Sequence, residues 1–285
     1  MNREDVVGLA SRFVDGSDEN RIGADVALRP DLAGVRMFDS PIVGVARADD
    51  PYFDELLRPG VIGPHFLPPR QWLPEAKSVV SFFLPFTDPV VKGNIPDLEY
   101  PSAEWLHGRF EGQAFIGSLC RHLVGALVGG GHEAAAPCVD ERFWSWNRPA
   151  GVDGKGVARP GFTSNWSERH VAHVAGLGTF SLSKGLITEK GMAGRFGSVI
   201  TTAELESDVR PYRAYDEYCN RCGACVKRCK FQAITLEHGK DHVVCGEISA
   251  RNMGLFKPRY GCGKCQVAVP CSRRIPPKRG NAALS

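Results

Sequence analysis

The chain has 285 residues, 43% hydrophobic and 24% charged, enough for one large domain or two modest ones around a buried core. Lys and Arg number 35 against 32 Asp and Glu, a net charge of +3. An ordinary apolar content with nearly balanced charge excludes a disordered chain and gives no ground for a nucleic-acid partner.

The longest apolar runs, Val79–Phe86 and Leu123–Val128, fall far short of the ~20 residues of a membrane-spanning helix. Met1 to Asp5 opens neither a secretory nor a twin-arginine signal, so the expected compartment is the cytoplasm, with no membrane partner. In chain order, residues 3–14 form an amphipathic helix with Val6, Val7, Leu9, Ala10 and Phe13 on one side. Ile42–Ala46 and Ser78–Leu84 read as strands, and Pro59 to Pro74 as loop or short helices. Glu104–Val128 carries apolar residues near helical spacing and is closed by Gly129, Gly130 and Gly131. Cys120 within it is inert core, and nothing flanking Cys138 forces a low pKa. The aromatic residues Phe143, Trp144 and Trp146 precede a long flexible loop from Pro149 to Gly161, a lid or a plain surface excursion. Ser167–Ala175 is a second helix, stopped by Gly176, and Gly197–Thr202 a further strand. His170 and His173 share one side of that helix, a pair more often solvated than metal-bound. Arg273, Arg274, Lys278 and Arg279 make a basic, solvated tail. No phosphate-binding glycine loop is present.

Of the ten cysteines, eight lie between Cys219 and Cys271. Without a leader, and beside a large apolar part that needs no staples, metal or cluster ligation is the better reading than disulfides. Cys219, Cys222, Cys225 and Cys229 form a C-x2-C-x2-C-x3-C run. Three closely spaced thiolates of such a run cap three irons of one cubane, and the fourth serves a second cluster. The assignment is Cys219, Cys222, Cys225 and Cys271 to one [4Fe–4S] cluster, and Cys229, Cys245, Cys262 and Cys265 to another. A four-cysteine zinc site drawn from Cys222, Cys225, Cys262 and Cys265 strands four thiols. Lys230 follows Cys229 where proline is usual, and the spacing Cys262-x2-Cys265-x5-Cys271 is long, so Cys271 is the least secure ligand. Gly223, Gly261 and Gly263 fit tight turns that aim amides at cluster sulfurs.

Three segments in this order, Ser167 to Phe180, Arg195 to Thr201 and the ferredoxin run, resemble the epoxyqueuosine reductase family, which is similar in turn to the reductive dehalogenases. Trp72 to Val80 resembles that family's entry into an early core strand. The resemblance spans roughly residues 40–271 and implies an α+β fold: a nitroreductase-like, cobalamin-binding core at 1–210 and a two-cluster ferredoxin-like module at 211–285. It implies two [4Fe–4S] clusters feeding a base-off cobalamin, with Ala175, Gly176, Leu177, Gly178, Thr179, Phe180, Arg195, Phe196, Gly197 and Ser198 lining the corrin. A reduced ferredoxin or flavodoxin would supply the electrons. The family's proton-donating aspartate falls near Phe162 or Thr163, which cannot donate that proton, and no helical-repeat extension follows Cys271. The expected function is therefore reduction of a small molecule rather than of epoxyqueuosine in tRNA, with Glu168, His170, Asp140 or Glu141 as proton donor. The alternatives are a ferredoxin-like carrier or corrinoid reductase serving a partner enzyme, clusters that only fold the C-terminal third, and epoxyqueuosine reduction on tRNA.

Overall fold

Ser78–Pro85 is buried at every position, and a strand with no solvent face needs strands on both edges and helices on both sides. The computed structural model, which describes residues 1–278, supplies both. Strands β1 (Ile42–Arg47), β2 (Ser78–Pro85), β3 (Ala134–Ala135) and β4 (Gly194–Thr201) form an antiparallel sheet in the order β1-β2-β4-β3. Val80 of β2 stands opposite Val45 on one side and Val199 on the other.

Alternation along the strands divides the core in two. Val45, Val80, Phe82, Leu84 and Val199 pack with helix α1 (Arg3–Gly16) and the long α3 (Ala103–Gly129), through Val6, Ala10, Phe115, Ile116 and Leu119. Between β2 and α3, helix α2 (Asp88–Gly93), unforeseen in the sequence, adds Val90 and Val91 to that side. Ala46, Val79 and Ile200 face the other way, onto Trp72, Trp166 and the Val171 and Val174 of α4 (Glu168–Val174). The result is a mixed α/β molecule with helices on both faces of the sheet.

Local chemistry explains the helix ends. Asn2 accepts from the Asp5 amide while the Asp5 carboxylate accepts from the Asn2 amide, a closed capping box on α1. Ser102 accepts from the Trp105 amide at the head of α3. Gly176, at φ 82°, ends α4.

The segment after the aromatic cluster is not the flexible loop expected. Ser145–Trp146 pairs with Thr163–Ser164, and Gly151–Val152 with Ala158–Arg159, so Pro149 to Gly161 is the tip of nested two-stranded ladders. Asp153 holds the tip by accepting from the amides of Lys155 (2.9 Å) and Val157 (3.0 Å) and from Arg159 Nε (2.8 Å). Arg159 lies over the Trp144 ring at 4.2 Å, a cation–π contact that no periodicity announces.

The basic tail is also not simply solvated. Arg273 donates to Phe86 O and pairs with Asp39 (3.3 Å) and Asp88 (3.2 Å), tying the chain's end to the sheet layer. Arg279 lies outside the described residues.

The cysteine-rich part contains the short helix α5 (Ala224–Arg228) and α6 (His242–Phe256), the latter capped by Asp241. Packing crosses residue 210 freely. Met192 N donates to Cys271 O and Ala193 N to Ser272 O, both at 3.0 Å. Val267 belongs to the apolar layer of α3, and Leu182, Ile187 and Met192 pack among the cysteines.

Candidate functional site

Three positive-φ glycines shape the cysteine-bearing turns: Gly223 (76°), Gly261 (121°) and Gly263 (73°). At Gly263 a Cβ would lie 2.0 Å from the Trp105 ring, so glycine lets this turn sit on α3. Cys219, Cys222, Cys225 and Cys271 line a single pocket beneath Leu182, Ile187 and Met192, with about 330 Å³ of empty space, part of it open to solvent. Burial, with Cys265, Cys219 and Cys222 adding to it, pushes the Cys225 thiol up to about 12. Burial and then Cys219, Cys225 and Cys222 push Cys271 up to about 12 as well.

The other four thiols sense one another. Burial pushes Cys262 up to about 11, with Cys265 and Cys245 adding to it. Burial raises Cys265, which Cys245 and Cys229 also act upon. One influence joins the two sets, from Cys265 to Cys225. Among the described residues no three His, Cys, Asp or Glu side chains converge as ligands of one metal ion do. The first set rings a space instead. Leu182 N donates to Cys219 Sγ at 3.4 Å, the kind of amide-to-sulfur contact that tunes a bound centre. Buried thiolates need a soft cation, and an all-thiolate donor set of four fits zinc or an iron–sulfur cluster.

A second feature sits where the sheet is incomplete. β3 pairs with Ile200 and Thr201, so among the described residues β4 from Gly194 to Val199 has no partner strand on its outer edge. Helices α3 and α4 flank that open edge. From α3, Gln113 accepts from Arg195 Nη2, and Arg109 stacks over the Tyr260 ring at 4.9 Å. From α4 come Glu168, Arg169 and His170. Arg169 presents surface to solvent, yet protein crowds it closely enough that burial lowers its pKa, as does neighbouring Arg109. We take this edge, where Arg109, Arg169 and Arg195 act on one another and Cys265 and Cys245 act on Arg169, as the candidate recess.

Glu168 is the most perturbed carboxyl here. Burial raises it to about 7, against hydrogen bonds from Ser198 and Trp166 that work to lower it. Ser198 Oγ donates to Glu168 Oε2 at 2.7 Å and accepts from Trp166 Nε1 at 2.9 Å. Glu168 Oε1 is buried without a partner. His170, bonded to Ser167 Oγ at 2.7 Å, is pushed down to about 3 by burial and then by Arg169. His173 is buried, bonded through Nδ1 to Gly178 O at 2.8 Å and stacked on Tyr212. The two histidines are therefore packed, not a solvated helix face, and their Nδ1 atoms bond different partners.

Asp140 is turned to Arg142 at 2.6 Å, and that hydrogen-bonded pair holds its carboxyl below the usual range. Arg142 also donates to Trp72 O at 3.0 Å, and Glu141 is exposed. Thr163 Oγ1 meets His65 Nε2 at 2.7 Å, and Phe162, at φ 52°, packs its ring on His242 against Gly246 of α6. Neither position brings a carboxylate. Of the expected corrin-lining residues, Ala175, Gly178, Thr179, Gly197 and Ser198 are buried in protein, whereas Gly176, Leu177, Phe180, Arg195 and Phe196 are half-buried. A Cβ on Gly178 would meet Ile187 O at 2.0 Å, and one on Gly197 the Phe82 ring at 2.4 Å, so both glycines serve close packing within the chain. Sequence reading missed Arg109, Gln113 and Tyr260, which carry no motif and meet only through the fold.

No protein-family model and no curated protein matches the chain. Among solved structures, a catabolic reductive dehalogenase superimposes with a TM-score of 0.53 at 15% identity, over 82% of this chain and 30% of its own. The neighbours in fold are reductive dehalogenases and epoxyqueuosine reductases. An epoxyqueuosine reductase from Bacillus subtilis matches with a TM-score of 0.49 at 18% identity, over 83% of this chain and 62% of its own. A second dehalogenase structure, described as suggesting a mechanism for B12-dependent dehalogenation, gives 0.47 at 15% identity, over 82% of this chain and 30% of its own. The chain thus spans less than two thirds of each of these proteins. No described helix is long and apolar enough to cross a membrane.

Proposed function

We propose that this chain is an iron–sulfur, cobalamin-linked reductase of a small molecule. Residues 1–210 form a nitroreductase-like core and 211–285 a two-cluster ferredoxin-like module. Cys219, Cys222, Cys225 and Cys271 would hold one [4Fe–4S] cluster, Cys229, Cys245, Cys262 and Cys265 the other, and the recess at the free edge of β4 a base-off cobalamin. When bound, the clusters supply one-electron transfer over a wide span of potential, and the corrinoid the reductant for the hard chemistry.

One observation supports this reading: Cys219, Cys222, Cys225 and Cys271 line one pocket, Cys245 and Cys229 act on Cys265, and Cys265 acts on both Cys225 and Arg169. The first set opens to solvent, the side from which a reduced ferredoxin or flavodoxin in the cytoplasm would deliver electrons. The half-buried backbone at Arg195 and Phe196, on an unpaired strand edge, suits a ligand rich in amide groups.

Within the recess, Glu168 is the residue suited to donate a proton, because burial keeps its carboxyl protonated up to near neutral pH. His170, pushed down to about 3, is neutral and carries no acidic proton to donate. Asp140 is ionised against Arg142, and exposed Glu141 has no such setting, so neither supports a donor role. A pure electron carrier or a module of merely structural clusters has no use for a protonated carboxyl beside the recess. Acting on tRNA needs the carboxylate that Phe162 and Thr163 do not offer.

The test is an electron paramagnetic resonance spectrum of cob(II)alamin, recorded anaerobically with and without the reconstituted protein. Loss of the splitting from the lower axial nitrogen, at about eight irons per chain, is the expected result. An unchanged free-cobalamin spectrum at full iron loading would leave a ferredoxin-like carrier.

A further inference from the structure

Three guanidinium groups meet at the recess with no carboxylate among the opposite charges acting on them, which are Tyr260 on Arg195 and Cys265 and Cys245 on Arg169. Arg109 comes from α3, Arg169 from α4 and Arg195 from the free edge of β4, and both other arginines act electrostatically on Arg195. Like charges held this close in a desolvated place repel, at a cost that grows as the dielectric falls. Proteins meet buried arginines with carboxylates, and this chain does so elsewhere: Arg259 pairs with Glu111, and Arg210 with Asp50 at 2.6 Å.

At the recess the partners are all neutral. Arg169 donates to Lys184 O at 2.9 Å, Arg195 to the Gln113 amide oxygen, and Arg109 faces the Tyr260 ring. Among the described residues none of the three forms an ion pair with a carboxylate. The Nε atoms of Arg109 and Arg195 are buried with no acceptor at all. Glu168, the nearest acid on α4, is turned to Ser198 and is not among the charges acting on Arg169 or Arg195. A buried guanidinium donor left unbonded is costly, and two of them in one place point to an acceptor that the chain itself does not supply.

We propose that Arg109, Arg169 and Arg195 form a receptor for an oxyanion, carboxylate or phosphate, carried by a small molecule that enters the recess. Planar forks match both groups in bidentate fashion, which a lysine cannot do. The proposal rests on the reductase reading for what the recess does, and it deepens that reading by making the ligand an anion. The oxyanion has two possible sources: the substrate, or the phosphodiester of the corrinoid's nucleotide loop.

The test uses the full chain, reconstituted anaerobically, and two probes, inorganic phosphate and benzoate, titrated calorimetrically at low salt with benzamide as the neutral control. One anion site per chain is expected, with no binding of benzamide. Arg109→Gln and Arg195→Gln should each weaken the anion by roughly 10- to 100-fold. In anion-free buffer Arg195→Gln should raise Tm, because it relieves repulsion, whereas a purely structural arginine would lower it. Absence of anion binding, equal binding of benzamide, or unchanged affinity in both variants overturns the receptor.

Prior loading with cobalamin or with cobinamide, which lacks the nucleotide loop and its phosphate, separates the sources. Anion binding that survives both assigns the arginines to the substrate. Loss with cobalamin alone assigns them to the corrinoid's phosphodiester. Anion binding in a protein that takes neither corrinoid would leave the receptor standing and sink the cobalamin reading.

Discussion

The sheet core is filled by valine, leucine and phenylalanine on both faces of β2, whereas the apolar cluster around the cysteines has six buried members, one of them Cys225. Three of the six, Leu182, Ile187 and Met192, come from before residue 210. The first region closes on its own side chains. The second is built on borrowed apolar surface and on buried thiols each of which, once ionised, raises its neighbours' pKa, so on the reading proposed here its order depends on a cation those thiolates bind.

The strongest way to break that contrast is Cys225→Ala. Iron should fall from about eight to about four atoms per chain. Hydrogen exchange should lose protection between Cys219 and Cys271 while Ser78–Pro85 keeps it. Equal loss of protection in the sheet would mean the two regions fold as one unit and the contrast is false.

A smaller effect is expected at the seam between them. Asn94 is fully buried, and its Oδ1 accepts from Lys264 Nζ at 2.8 Å and from Ser102 N at 3.0 Å. Its Nδ2 donates to Cys262 O at 2.9 Å. Asn94→Ala removes these bonds and leaves a buried ammonium with only the Asn94 carbonyl, at 3.1 Å, for company. The cost should be about 2–4 kcal/mol. Urea unfolding followed by cluster absorbance should then move to lower urea, while the transition followed by tryptophan fluorescence stays closer to that of the wild type.

Much of the core was legible because period carries through burial. The strands expected at 42–46 and 78–84 and the helix at 104–128 follow from apolar spacing, and the helix's end from the glycines at 129–131; the structure extends each by a residue or so, and the Ser102 cap was not foreseen. The nested ladders at 145–164 were not, since two-residue strands held by Asp153 and by arginine–tryptophan stacking leave no periodic trace. At the site, the eight cysteines announce themselves through spacing. The arginine cluster does not: residues 109, 169 and 195 lie on three elements that only the fold brings together. His173 was misjudged for a related reason, because Tyr212, thirty-nine positions away, covers it.

The finest test lies on the core side of the recess and concerns one proton. Burial raises Glu168 from 4.5 to about 7, so the folded protein binds this proton more tightly than the unfolded chain does. Its stabilising contribution is therefore fully present below pH ~4.5 and is lost as pH rises through ~7. Glu168→Gln cannot ionise and keeps the acceptor that Ser198 uses. The variant should match the wild type near pH 5 and exceed it by roughly 2–3 kcal/mol near pH 8, read by urea denaturation at the two pH values. Its reduction rate should also lose the limb that falls as pH rises through about 7, because no proton is left to titrate. Wild-type stability that does not decline between those pH values relative to the variant would place Glu168 outside the desolvated recess. Iron content, which the proposed function assigns to thiols in the other region, should be the same in both proteins.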